Sequence, residues 1–365
     1  MANADRPRAG PEVGQAAFFE AVVRWQTTHG RHGLPWQGTH DPYRVWLSEI
    51  MLQQTQVTTV LDYYPRFLAR FPDVQTLAAA ELDDVLALWS GLGYYSRARN
   101  LHACALQVVN DWGGRFPSRA TDLQTLQGIG RSTAAAIAAF CYGEPVTILD
   151  GNVKRVLSRL LAFEGDLAQA AQERRLWDLA QAQVPSQAGH SEMIAYTQGL
   201  MDLGATVCHR SRPDCLLCPA ADLCEARSSA RMAEFPVRTR RLVRRTEAWW
   251  WLVLRRADGA CWVQQRPARG IWAGLYAFPV YHTATEAKAA LEAATGYPVA
   301  VTEHPVVRHA LTHRDLLLHP LECDWPATHQ LPEAWGPGQW LDESRADALG
   351  LPTPVRSWLK GRTGG

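Results

Sequence analysis

The first half of the chain has apolar residues at the spacing of amphipathic helices. From Glu12 to about Cys224 they recur along one helical face, as in segments 46–51 and 85–89, and short breaks of Gly and Pro separate the segments. We therefore predict that this region is all helical.

The second half has a different pattern, in which short runs of apolar residues alternate with turn residues. The predicted strands are Trp249–Leu254, Cys261–Gln265, Leu275–Val280 and Leu316–Leu321, and the predicted helices are Thr285–Ala294 and Ser344–Leu349. This pattern indicates a smaller mixed α/β domain.

Segment 227–246 lies between the two patterns and has little apolar content. Besides Arg227 at its start, it contains Arg231, Arg238, Arg240, Arg241, Arg244 and Arg245. Such a segment is typical of a basic connector that lies across a partner's backbone, and equally of a solvated linker.

Length and charge narrow the classes of protein. A chain of 365 residues is too long for one ordinary core and favours two domains, and a net charge of +1 means that any nucleic acid must be held by local features. The polar start, Met1–Gln15, lacks the apolar core of a secretory signal, and the longest apolar run, Ala248–Leu254, is too short to span a bilayer. We expect a soluble cytoplasmic protein with no membrane partner, nucleoid-associated if bacterial.

Four of the eight cysteines crowd into one short segment with the spacing C-x6-C-x2-C-x5-C. They are Cys208, Cys215, Cys218 and Cys224. Clustered thiols without a secretory signal indicate metal or cluster ligands in a reducing compartment rather than disulfides. The spacing favours an iron-sulfur cluster, with zinc as the alternative, because zinc usually draws on two C-x2-C knuckles and only one is present.

A glycine hairpin precedes an aspartate at a helix start. Gly128 and Gly130 lie between two helical stretches and allow backbone N–H groups to face a phosphate. Asp150 begins the helical stretch 150–157 after the extended segment 145–149. Alone, each feature is most often an ordinary turn or helix cap.

Together these features resemble the helix-hairpin-helix DNA glycosylase superfamily, and further motifs resemble its adenine DNA glycosylases of the MutY type. The motifs are Leu34-Pro-Trp36, Pro42-Tyr43, Trp46-Leu-Ser-Glu-Ile-Met-Leu-Gln-Gln-Thr-Gln56, Gly91-Leu-Gly-Tyr-Tyr-Ser96, 148–155 and the cysteine loop. The resemblance covers most of residues 30–224. It implies a helix-hairpin-helix glycosylase fold with one 4Fe-4S cluster, followed by a smaller MutT (Nudix)-like domain.

The resemblance also implies an activity and a site. The expected enzyme is a hydrolase of base excision repair that flips adenine out of the helix when it is mispaired with 8-oxoguanine or guanine, and hydrolyses its glycosidic bond. Glu49, among apolar neighbours, would be the protonated acid, and Asp150 the ionised group that stabilises the sugar cation. The resemblance brings the two together. Glu49 on an unplaced helix would otherwise be a surface charge.

Other positions receive roles from the same resemblance. Bifunctional relatives of the endonuclease III type have a lysine at Ser132, so the chain is expected to be monofunctional, and Lys154 is given no catalytic role. The other predicted contacts are Tyr94 as a wedge in the helix, Gln54 as a probe of the base stack, Gly128, Gly130 and Ser132 at the hairpin, and Trp36, Gln198 and Asn152 around the adenine.

The second domain is expected to read 8-oxoguanine through Thr312 and His313. The family commonly has Phe-Ser-His where this chain has Leu311-Thr312-His313, so an aromatic ring is replaced. Hydrolysis of nucleotide diphosphates by this domain is disfavoured, because the predicted helix has only Glu286 and Glu292 in place of the Arg-Glu-x-x-Glu-Glu magnesium motif.

The predicted organisation is a helical catalytic region at residues 12–226, a connector at 227–246 and a recognition domain at 247–362. The expected partner is double-stranded DNA, and the protein is expected to be a monomer. The alternatives are an endonuclease III-like enzyme with lyase activity, against which Ser132 counts, and a cluster-containing DNA sensor without catalysis, against which Glu49 and Asp150 count.

Overall fold

The computed structural model describes residues 15–239, 243–326 and 329–361. The predicted polar segment before Gln15 and the connector residues Arg240 and Arg241 lie outside these ranges. Among the described residues, those up to Pro65 and from Leu106 to Arg241 form a first compact unit, and those within Arg66–Ala105 and after Leu242 form a second. Each unit is therefore built from two separate stretches of chain.

The predicted helical half is confirmed, with no strand among its described residues. Its helices are α1 (Gln15–His29), α2 (Pro42–Leu52), α3 (Val57–Arg70), α4 (Val74–Ala78), α5 (Leu82–Trp89), α6 (Ser96–Trp112), α7 (Ala120–Leu123), α8 (Arg131–Tyr142), α9 (Gly151–Leu160), α10 (Ala170–Gln181), α11 (His190–Thr206) and α12 (Glu225–Ser228).

Helix α11 is central to the first unit. It packs against α1, α8 and α9 and is buried along most of its length. Gly199 and Gly204 permit this close packing, since an added Cβ would lie 2.7 Å from Val22 in α1 and from Asn152 in α9, respectively. The unit has a core of Leu, Val, Phe and Ala side chains from these helices.

The later half contains helices α13 (Ala284–Thr295) and α14 (Thr353–Leu359) and a mixed sheet. Its strands are β1 (Arg245–Arg255), β2 (Cys261–Gln265), β3 (Tyr276–Ala277), β4 (Val280–Tyr281), β5 (Thr302–Glu303), β6 (Val307–Ala310), β7 (Arg314–Asp324) and β8 (Gly338–Leu341). The main order is β3-β2-β1-β7-β5, and β4, β6 and β8 pair with β1, β7 and β2.

The centre of the sheet is a parallel pair, β1 and β7, whose register runs from Arg245 opposite Arg314 to Arg255 opposite Asp324. The continuous apolar run of β1 is buried, as is typical of a strand covered on both faces. Two predicted elements differ from the structure. The predicted strand Leu275–Val280 is split into β3 and β4, and the predicted helix Ser344–Leu349 is only a short 3-10 turn at Glu343–Arg345.

Candidate active site and cysteine loop

A cavity of about 510 Å³ lies within the first unit. Its lining includes three predicted site residues, Trp36, Glu49 and Gln198, together with Arg31. Trp36 is almost fully buried and meets Tyr64 edge to face at 5.6 Å. The volume is typical of a pocket for a small molecule or a single base.

Glu49 reaches this cavity from α2. The helix begins where Asp41 accepts a hydrogen bond from the Tyr43 backbone N–H, and Trp46 and Met51 anchor its inner face. Burial raises the pKa of Glu49 from 4.5 to about 8, and the nearby charge of Asp150 acts in the same direction. The structure thus brings the two predicted carboxyl groups together and keeps Glu49 protonated near neutral pH.

Asp150 precedes the first turn of α9. Its Oδ1 atom accepts a 2.7 Å hydrogen bond from the Val153 N–H and caps the helix. The hydroxyl oxygen of Ser132 accepts a 3.1 Å bond from the Leu149 N–H, which fixes the backbone just before Asp150. Lys154, one turn later, is bound at 2.6 Å by Glu173, so its amine already has an anionic partner.

Asn152 does not line the cavity within the described part of the chain. Its Oδ1 atom accepts a 3.0 Å hydrogen bond from Arg155, which also donates to the carbonyl oxygens of Cys208 and Gly204. Asn152 therefore belongs to a polar link between helix α9 and the cysteine loop.

The four predicted cysteines surround one small cavity. No group of three or more His, Cys, Asp or Glu side chains in the described ranges is placed to share a single metal ion. Arg159 is 3 % exposed beside the loop, and its Nη1 atom lies 3.3 Å from the Cys208 Sγ atom. Its guanidinium also donates to the carbonyl oxygens of His209, Arg210, Met232 and Phe235.

Arg159 has no carboxylate partner among the described residues, so the thiols are the anionic groups available to it once deprotonated. A buried cation facing a ring of cysteines suits a loop that carries negative charge. The other cysteines, Cys104, Cys141, Cys261 and Cys323, are buried and unpaired.

The two predicted probes of the DNA stack both have left-handed backbone conformations, with φ of 56° at Gln54 and 50° at Tyr94. Such conformations are uncommon outside glycine and concentrate at functional sites. Gln54 is exposed beyond the end of α2. Tyr94, 43 % exposed, follows Gly91 and Gly93, which also have positive φ.

Within the second unit, Tyr94 meets the predicted recognition residues. Its hydroxyl is 2.8 Å from the Thr312 hydroxyl. Thr312 lies at the turn between β6 and β7, which the Leu311 N–H closes by donating to the Arg314 carbonyl oxygen at 2.7 Å. The His313 side chain is exposed at the same turn. Arg97, which the sequence did not indicate, supports the turn by donating to the Gly93 carbonyl.

The predicted glycine hairpin lies between α7 and α8. Gly128 has φ of 77°, and Gly130 is the exposed residue before α8. Ser132 follows in the first turn of α8, where backbone N–H groups have no partner within the helix.

Two further residues escaped the sequence prediction: Arg31, which lines the cavity, and Asp202, which bonds to two of the lining residues. Asp202 is fully buried, and its Oδ1 atom accepts hydrogen bonds from Arg31 Nε at 2.7 Å and Gln198 Nε2 at 2.8 Å. Its Oδ2 atom accepts from the Arg31 backbone N–H at 2.8 Å. The position of Asp202 one helical turn after Gln198 is a signal that could have indicated this contact, whereas Arg31 has no such signal.

Two family matches divide the chain in the same way as the sequence patterns. Residues 47–182 match the HhH-GPD superfamily of base excision DNA repair proteins, and residues 250–361 match the NUDIX domain. The adenine DNA glycosylase of Buchnera aphidicola subsp. Schizaphis graminum is 32 % identical over 347 residues, which cover 94 % of this chain and 98 % of the relative. The chain belongs to the adenine DNA glycosylase family.

A human relative and a solved structure extend the comparison. The human adenine DNA glycosylase is 43 % identical over 221 residues, covering 58 % of this chain and 39 % of the human protein. A solved thermostable thymine-DNA glycosylase aligns with a TM-score of 0.51 and 26 % identity, covering 59 % of this chain and 97 % of that structure. The predicted fold class, a helix-hairpin-helix glycosylase followed by a Nudix-like domain, is confirmed, as is the prediction of a hydrolase of the DNA N-glycosylase class. No helix in the described ranges is both long and apolar enough to cross a membrane.

Proposed function

We propose that the chain is a monofunctional adenine DNA glycosylase that flips adenine from mispairs with 8-oxoguanine or guanine and hydrolyses its glycosidic bond. The observation that carries this proposal is Glu49 in the lining of a base-sized cavity, with its pKa raised to about 8 by burial and by the nearby charge of Asp150. The geometry suits a reaction that needs one protonated and one ionised carboxyl group.

The proton comes from Glu49. Adenine in the cavity would be bordered by Trp36 and Gln198, with Glu49 in reach of a ring nitrogen. As the bond between the base and C1′ of the sugar breaks, its electron pair moves to the base, and the Glu49 proton neutralises the leaving group. A water oxygen then bonds to C1′ and releases a proton, which restores the acid.

Asp150 is assigned the role of stabilising the cation that develops on the sugar. Its capping bond from the Val153 N–H occupies one carboxylate oxygen at the N-terminus of α9 and leaves the other oxygen available. The charge can then stabilise the oxocarbenium ion electrostatically or as a transient covalent partner. Ser132 offers no amine, and Lys154 is held by Glu173, so no Schiff base with the sugar is expected.

The DNA contacts follow the predicted assignments. Tyr94 would wedge into the helix and Gln54 would probe the stack, while backbone N–H groups at Gly128, Gly130 and Ser132 bind a phosphate. The exposed side chain of Tyr94 and its left-handed backbone support the wedge role. Asn152 would act by orienting its neighbour Asp150.

The region 247–362 is proposed to read 8-oxoguanine through Thr312 and His313 rather than to hydrolyse nucleotides. In α13, the Glu286 carboxylate accepts a hydrogen bond from the His282 N–H near the helix start, and its backbone N–H is bound by Thr283. Glu286 is therefore a capping residue, which leaves the helix without a set of magnesium ligands.

Cys208, Cys215, Cys218 and Cys224 are proposed to hold one 4Fe-4S cluster. Their placement around a common cavity and the buried cation of Arg159 fit an anionic group of several atoms better than a single zinc ion. When bound, the cluster would be ligated by the four cysteine sulfurs and would cross-link the loop. A monomeric state and a cytoplasmic location, at the nucleoid if the chain is bacterial, belong to the same proposal.

The deciding experiment is single-turnover excision on end-labelled duplexes with adenine opposite 8-oxoguanine, guanine or thymine, analysed before and after alkali. We expect excision opposite 8-oxoguanine and guanine, with strand breaks only after alkali. Glu49→Gln should abolish excision while DNA binding persists. Specific binding of the wild type without excision would favour the sensor, and breaks without alkali would favour the lyase.

A further inference from the structure

Asp202 has an unusual place beside the candidate adenine cavity. It is 0 % exposed, does not itself line the cavity, and yet bonds to two residues that do, Arg31 and Gln198. A buried carboxylate is costly unless its oxygens are satisfied, and here both oxygens accept hydrogen bonds. Its placement therefore constrains how the two wall residues present their remaining polar atoms.

The amide of Gln198 has a defined orientation because of this carboxylate. A carboxylate oxygen accepts only, so the atom of Gln198 that faces Asp202 at 2.8 Å must be the N–H donor, Nε2. The carbonyl oxygen of Gln198 is then the other end of the amide, and it has no hydrogen-bond partner among the described residues. Gln198 thus offers an acceptor to the cavity and not a donor.

Asp202 also fixes the orientation of Arg31, which contributes donors where Gln198 contributes an acceptor. Its Nε and backbone N–H bind the two oxygens of Asp202, which leaves the Nη groups as donors on a side chain that lines the cavity. The wall consequently combines one oriented acceptor with a cationic donor.

We propose that Asp202 is a positioning residue that makes the cavity selective for a 6-amino purine. This inference rests on the proposed function and specifies how the base is chosen. The acceptor of Gln198 suits the amino group at position 6 of adenine, whereas guanine and hypoxanthine have an acceptor oxygen there that would be repelled. The donors of Arg31 suit N3 or N7, which accept hydrogen bonds in all of these purines, so in this arrangement the Gln198 contact is the one that discriminates.

The test is the variant Asp202→Asn, which has the same shape but replaces one acceptor oxygen by a donor. The Oδ1 atom of Asp202 accepts from both Gln198 Nε2 and Arg31 Nε, so an Asn amide nitrogen in its place loses the Arg31 bond but can donate to Gln198. The Gln198 amide can then turn and present N–H to the cavity. Single-turnover rates would be measured on duplexes that carry adenine, unsubstituted purine or hypoxanthine at the same position. We expect the ratio of adenine to purine excision to fall roughly tenfold relative to wild type, the effect of one lost hydrogen bond in a closed site.

A role confined to folding would lower both rates by the same factor and leave the ratio unchanged, and that result would overturn the inference. In a double-mutant cycle, Asp202→Asn should cause no further loss of selectivity when Gln198→Leu is already present. Asp178→Asn, at an exposed aspartate of the same unit, is the matched control and should leave every rate unchanged.

The inference remains testable if Asp202→Asn does not fold. Wild type must then prefer adenine over purine beyond their difference in spontaneous hydrolysis, and Gln198→Leu must lose that preference; equal preference in the two proteins would overturn the inference. Failure of the proposed function looks different, because wild type would then excise neither base.

Discussion

The guanidinium of Arg159 lies 3.3 Å from the thiol sulfur of Cys208 and donates to backbone carbonyl oxygens within the cysteine loop and after it. A single buried side chain of helix α9 thus holds the loop and the segment that follows it. Arg155, one turn earlier on the same helix, donates a hydrogen bond to Asn152.

Loss of the Arg159 guanidinium should destabilise the loop. In Arg159→Met, four carbonyl oxygens lose a hydrogen bond from a buried donor, and we expect the free energy of unfolding to fall by about 3 kcal/mol. Urea unfolding measures this change, and iron content with visible absorbance should show a reduced cluster load. Arg231→Met, at a partly exposed arginine paired with Glu164 and Glu234, is the control and should change neither property. An unchanged iron content in Arg159→Met would contradict the prediction.

Asp150 has two separable roles, as a cap and as a charge. Asp150→Asn retains an oxygen that can accept from Val153, so stability should stay near that of wild type while the excision rate falls at least about a hundredfold, because the sugar cation loses its counter-charge. Asp150→Ala should in addition lose about 1 kcal/mol of stability. Thermal unfolding and single-turnover rates separate the two effects. Equal stability of both variants would show that the cap is unimportant.

The raised pKa of Glu49 predicts the pH dependence of catalysis. Because the protonated carboxyl is the acid, the excision rate should fall by about tenfold per pH unit above pH 8. A pH-rate profile under single-turnover conditions measures this. A basic limb centred well below pH 7 would argue against Glu49 as the proton donor.

The same pKa makes a prediction for stability. The folded state favours the neutral form of Glu49, so stability is fully present below pH 4.5 and falls as the pH rises from 4.5 to about 8, where the unfolded chain ionises more readily. Glu49→Gln has no such titration and should unfold at a higher temperature than wild type at pH 8. Melting curves of both proteins at pH 4.5 and pH 8 provide the comparison; an equal difference at both pH values would contradict it.

The hydroxyl contact between Tyr94 and Thr312 should couple the wedge to recognition of the opposite base. Tyr94→Phe and Thr312→Val each remove one hydroxyl of the 2.8 Å pair. We expect each to reduce the preference for 8-oxoguanine over guanine by several-fold, and the double variant to show little further loss. Excision rates opposite 8-oxoguanine and guanine would be measured for the wild type, the two single variants and the double variant. Fully additive losses would mean that the hydroxyls act independently.

Much of the fold was predictable because helices and long strands have local signals. The run 249–254 indicated a buried strand, and β1 covers it; Cys261–Gln265 was predicted to the residue. Strands β5, β6 and β8 were missed, since each has four residues or fewer and is defined by its partner rather than by its own sequence. The parallel pairing of β1 with β7 joins segments that are distant in the chain and has no local signal.

The candidate site likewise combines residues that local motifs indicate with residues that only the packing of the fold reveals. Glu49 and Asp150 were identified through motifs, and the structure supplies what motifs cannot, the burial that sets the pKa of Glu49. Asp202 and Arg159 went unnoticed because an aspartate or arginine in a helix is usually exposed, and only the packing of α11 and α9 makes these two buried.

The second unit joins residues 66–105 to a segment that begins after Leu242. The hydroxyls of Ser90 and Tyr95 both donate to the Leu351 carbonyl oxygen, and Gly350 packs closely against Leu86. On the ribosome, helix α5 and the Tyr94 turn therefore emerge long before their packing partners are synthesised. At about 5–20 residues per second, this interval is on the order of ten seconds or more, during which apolar helix faces stay uncovered. The yield of active protein therefore depends on protection of the nascent chain at this stage as well as on the stability of the finished fold.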